Sequence, residues 1–158
     1  MPTVLVSLLS LLLFAEPAST ALERLPSTSL AALVAVGPGG LAPSGLARSL
    51  DGRRVRLVGY MAHLEAPAPG VFWLASRPVD CDEGGGGTAD LPPDAIRVEV
   101  RSAAGAAVRW LPGPIEITGH FRVGPDADAR GRVAHLHVVL DREEDLASSP
   151  APAPRSSP

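Results

Sequence analysis

Three stretches of this chain alternate apolar and polar residues with a period of two, and the glycines and prolines around them leave no room for a long helix. In "AIRVEVR", Ile96, Val98 and Val100 fall on one face and Arg97, Glu99 and Arg101 on the other. In "PIEITGHFRV", Ile115, Ile117, Phe121 and Val123 point one way, and Glu116, Thr118, His120 and Arg122 the other. In "RVAHLHVVLD", Ala134, Leu136, Val138 and Leu140 share a face opposite Val133, His135, His137 and Val139. That period belongs to half-buried strands. Two more candidates precede them: "RRVRLVGYMAHL" (Arg53 to Leu64), with Gly59 where a bulge or bend fits, and "VFWLAS" (Val71 to Ser76). Aromatic residues make up 4% of the chain, so the core rests on Val, Leu, Ile and Ala.

Five strands, the first long and carrying a central glycine, predict an all-β domain over residues 50–141: a small five-stranded Greek-key barrel of the OB type. Closing the sheet removes edges that short strands otherwise expose. A half-open β-sandwich is the alternative. Residues 22–49 form an N-terminal extension, partly helical: "STSLAALVAV" suits a short helix capped at Ser27 or Thr28, and "PSGLARSL" another turn or two. Residues 142–158 end in "ASSPAPAPRSSP", which has no large apolar side chain to bury, and a disordered tail is expected there.

The first residues read "MPTVLVSLLSLLLFAEPASTALERL". Val4 to Ala15 is shorter than the run of about 20 apolar residues that spans a bilayer, but matches the apolar region of a secretory signal peptide. Ser19 and Ala21 suit its cleavage site, which makes 1–21 a signal peptide and the mature protein periplasmic or secreted, with no stable membrane anchor. No basic residue precedes the run, a departure from the usual pattern. A single cysteine rules out an intrachain disulfide. All fourteen basic residues are arginine and there is no Lys, Asn or Gln, the mark of a GC-rich genome. The net charge of −3 lacks the basic surface of a nucleic-acid binder.

"LDGRRVRLVGYMAHLE", then "FWL", then a loop cysteine and Pro92-Pro93, resemble an uncharacterised family of exported bacterial proteins, a domain of unknown function. The resemblance covers residues 50–141 and is carried by Gly59-Tyr60-Met61 with Leu64-Glu65. It implies an exported β domain. The family's cysteine is followed closely by histidine and prolines, whereas Cys81 here is followed by Asp82, Glu83 and Gly84 to Gly87.

Cys81 sits among Asp80, Asp82 and Glu83, whose charge opposes a thiolate, so a structural thiol outweighs a metal ligand or nucleophile. The glycine run lacks the lysine and the helix of a phosphate loop. His135 and His137 share a strand face, and a hairpin places His120 opposite one of them. Three imidazoles on one face are a candidate zinc or copper site, with a solvated outer face as the plainer alternative. In OB-type barrels ligands gather on strands two and three and the neighbouring loops, which selects Trp73, Arg97 and Glu99 as candidate ligand contacts. The expected function is a non-enzymatic binding or accessory role without a cofactor, toward a protein or small ligand. Periplasmic metal binding by the histidine face is the alternative.

Overall fold

The computed structural model describes residues 25–64, 66–81, 91–127 and 133–149. The expected signal peptide 1–21, the glycine run of the cysteine loop and residues 150–158 of the expected tail lie outside them. Along the chain run β1 (Ser27–Thr28), a 3-10 turn (Leu30–Leu33), β2 (Val34–Gly37), β3 (Gly40–Pro43), α1 (Gly45–Leu50) and β4 (Arg54–Met61). β5 (His63–Leu64), β6 (Val71–Ala75), β7 (Asp80–Cys81) and β8 (Ile96–Val100) follow. β9 (Pro114–Ala127), β10 (Val133–Leu140) and β11 (Leu146–Ser148) complete the set. The protein is mostly β, with one short α-helix among the described residues.

Each of the five expected strands is present. β4 pairs antiparallel with β6, β6 antiparallel with β8, and β8 parallel with β10. β10 then pairs antiparallel with β9, and β9 returns antiparallel to β4. The pairings therefore form a cycle, inside a seven-stranded mixed sheet to which β1 and β11 add further strands. The apolar members of the alternating strands, Ala134 excepted, turn to one interior. Ile96, Val98, Val100, Ile115, Ile117, Val138 and Leu140 are wholly buried there, around Phe121 and Phe72. Each such side chain contributes about 1.5–3 kcal/mol relative to exposure.

Gly59 differs from expectation. The β4–β9 register runs unbroken from Arg54↔His120 to Tyr60↔Pro114, so no bulge sits there. A Cβ on Gly59 would lie 2.6 Å from the Ala75 carbonyl oxygen and 2.9 Å from Leu74 Cγ. The glycine is required by close approach of β4 to β6. Gly119 of β9 has the same role toward β10: its Cβ would stand 2.6 Å from the Val139 carbonyl oxygen and 2.7 Å from Val138 Cγ1. Glycines at two inward positions let the cycle turn its corners.

The ends of the described chain hold more strand than the sequence announced. Of the expected helix in "STSLAALVAV", one 3-10 turn forms, burying Leu30 and Leu33. Val34–Gly37 instead folds back on Gly40–Pro43 as a hairpin, favoured by β-branched valines and by Gly40 at φ 102°. The second expected helix is α1, where Ser44 Oγ accepts a hydrogen bond from the Ala47 amide at 3.1 Å. The "DG" turn after it docks on β9: the Gly52 amide donates to the Phe121 carbonyl at 2.9 Å, and Asp51 Oδ1 accepts from the Val123 amide at 2.9 Å. At the other end, residues 142–149 of the expected tail form secondary structure against β4 and β9. Asp145 caps a 3-10 turn and pairs with Arg54 at 3.1 Å, and β11 lies along Ile115–Ile117 of β9.

Substituting Gly119→Ala should lower stability by about 1–3 kcal/mol, because the new methyl meets backbone that cannot yield. Urea unfolding reads this as a lower midpoint at unchanged slope; a variant as stable as the parent would refute the close-approach role.

Candidate ligand-binding site

The outward residues of four strands line up across the sheet. Trp73 of β6 is opposite Arg97 of β8, Arg97 opposite His137 of β10, and His137 opposite Arg122 of β9. This row backs directly onto the core row Phe72, Val98, Val138 and Phe121. Outward residues of a half-buried sheet are ordinarily solvated. Here His137 is 7% exposed and the Arg97 side chain 11%.

A β-bulge contributes to that burial. Register between β10 and β9 shifts between Ala134 and Leu136, where Gly124 and Pro125 stand against the single residue His135. Gly124 takes φ 147°, open to glycine, and Pro125 gives up a ladder amide. Past the bulge, β9 carries Asp126 to within 3.1 Å of Arg97 Nη1, and Glu99 Oε2 stands 3.6 Å from the same nitrogen. The Gly124 carbonyl lies 2.7 Å from His137 Nε2. A carbonyl can only accept, so the ring proton sits on Nε2 and Nδ1 presents its lone pair in the neutral imidazole. Arg97, Glu99, Asp126 and His137, with Arg122 and the bulge, line a cavity of about 260 Å³.

Within the described structure three buried polar atoms of this row have no hydrogen-bond partner: Trp73 Nε1, Arg97 Nε and His137 Nδ1. Each costs about 1–3 kcal/mol if left unsatisfied.

The expected residues divide between places. Arg97 and Glu99 share the cavity, while Trp73 turns away into a second apolar cluster with Ala62, Ala75, Val79 and Ala134 and is 4% exposed. Trp73 also lines a smaller cavity, about 160 Å³, beneath the β2–β3 hairpin. The expected histidine face does not converge. His120 stands opposite Val139 instead of His135 or His137, because β9 runs on to Ala127 and the bulge resets the register. His135 is exposed at the bulge and His137 is buried. Among the described residues no group of three or more His, Cys, Asp or Glu side chains comes together as a metal site. Cys81 ends β7, and its strand pairs with His63–Leu64. The approach of Asp126 to Arg97 and the burial of His137 escaped the sequence reading; the "GP" inside an alternating strand was the available signal of a bulge.

No family model matches the chain, and no curated protein matches it. Among solved structures the chain is similar to a DUF3299 family protein from Pseudomonas aeruginosa PAO1, at 17% identity and a TM-score of 0.46, over 81% of this chain and 98% of that one.

Trp73 gives a test of the unpartnered nitrogens. Trp73→Phe removes the unpaired N–H and should cost less than about 1.5 kcal/mol, whereas Trp73→Ala should cost about 3–5 kcal/mol. Thermal unfolding of both variants checks this; equal losses would mean that Nε1 is bonded after all.

Proposed function

We propose that this chain is an exported, non-enzymatic binding module built on an OB-type barrel, taking a small polar ligand in the cavity of Arg97, Glu99, Asp126 and His137. Three things support the reading. The order in which β4, β6, β8, β10 and β9 pair, with β8 parallel to β10, fits a five-stranded barrel of that type. The cavity lies on the third strand of that cycle and beside the β9–β10 connection, where such barrels gather ligands. The apolar run at Val4–Ala15 supports export.

The single observation that carries the ligand reading is the cavity itself, walled by the polar side chains of Arg97, Glu99, Asp126 and His137 on paired strands. The Arg97 guanidinium can only donate, and the Glu99 and Asp126 carboxylates accept. Arg97 is already balanced by Asp126 and Glu99, so a strongly anionic ligand gains little there. Hydroxyl and amide groups, which donate and accept, suit it best.

The test is nitrogen-15 NMR of protein recovered from the periplasm, where the mature chain should begin at Leu22, titrated with a library of small alcohols, amides and carboxylates. Binders should shift the amides of Arg97, Glu99, Gly124 and His137, and lose affinity in Arg97→Leu. Absence of binders, or shifts confined to other surfaces, would overturn the ligand reading; a cytoplasmic, uncleaved chain would overturn export.

A further inference from the structure

A second cavity, independent of the first, lies where β4 leaves β9 to join β6. Tyr60 marks this corner, opposite both Ala75 and Pro114. Tyr60, Trp110, Asp80, Leu111, Pro78 and Val79 line a space of about 250 Å³. Two aromatic rings, aliphatic walls and one carboxylate therefore share one pocket.

Trp110 is the unusual element. It is 44% exposed, which leaves a large apolar ring facing water. It is nonetheless fixed: its Nε1 donates to the Met61 carbonyl at 3.2 Å, and its ring packs on His63 with centroids 5.1 Å apart and planes tilted by 55°. Val108, two residues earlier, is buried in the core and anchors the segment. The Asp80 side chain is 84% exposed, and among the described residues its ion-pair partner is His63, at 3.7 Å. Arg77 and Arg109 are the nearest arginines in sequence, and neither lines the cavity.

The geometry points to a binding site for a small organic cation of the methylated-ammonium class, held by the faces of Trp110 and Tyr60 and by the charge of Asp80. Aromatic faces are negative and attract a cation lying over them, and a quaternary ammonium brings methyl groups that suit the aliphatic walls. One carboxylate supplies too few oxygen ligands for a calcium ion, which takes six to eight. The Trp110 ring is held before the ligand arrives, so binding freezes little of it.

The probe is choline, against 3,3-dimethylbutan-1-ol, which has the same shape without the charge. Binding is followed on the full chain by NMR through the indole N–H of Trp110, with that of buried Trp73 as internal control. Choline should shift the Trp110 signal saturably, about tenfold more tightly than the neutral alcohol. Asp80→Asn, at an exposed position, should weaken choline and leave the alcohol unchanged, and Trp110→Leu should abolish saturation at the Asp80 amide. Equal affinity for the two probes, an unchanged Asp80→Asn variant, or no saturable shift would overturn the assignment.

Discussion

The pairing of β4 with β9 is the contact on which the other arrangements rest. These two strands lie far apart in sequence, and without their seven paired positions from Arg54↔His120 to Tyr60↔Pro114 the sheet would end in two open edges. Pairing them brings the apolar faces of five strands around one interior of Val, Ile and Leu with little aromatic bulk. The backbones must come close for this, and Gly59 and Gly119 occupy inward positions where any side chain would strike the next strand. On the outer side Arg56 pairs with Glu116, and that hydrogen bond raises the Arg56 guanidinium above its ordinary range, against the opposing effect of desolvation. Arg56 therefore stays charged throughout the neutral range.

Both candidate sites follow from the limits of that pairing. β9 is longer than β4 can cover, and its free end bulges at Gly124-Pro125 and folds Asp126 over Arg97. That converts a solvated sheet face into a cavity with buried polar groups. At the opposite corner β4 passes from β9 to β6, and Tyr60 and Trp110 flank the space left between strands. Each site sits on strands already fixed by the core, the arrangement that lets a pocket exist before its ligand.

Three strands of the cycle were legible because burial on one face imposes a period of two, whereas β6, buried at every position, shows only as a short apolar run. What could not be read was too short to show a period. β1 has two residues and β11 three, and both are stabilised by the neighbour they join. β2 reads as helix because "LAALVAV" fits either pattern, and tertiary burial of Leu30 and Leu33 decides it. Parity correctly placed His120, His135 and His137 away from the core-facing set. It could not supply register, and because β9 runs on to Ala127 the hairpin sets His120 opposite Val139. Fold analogy selects Arg97 and Glu99, which line one cavity, whereas the burial of His137 and the approach of Asp126 depend on the bulge and became visible only in three dimensions.

Amide hydrogen exchange measures the closing contact directly. If β4 and β9 pair as described, the amides they exchange between Arg56 and Gly59 and between Ile115 and Gly119 open only with global unfolding and are among the slowest in the chain. Exchange there as fast as at a free sheet edge, with β8 and β10 still protected, would show that the cycle is open and contradict the account.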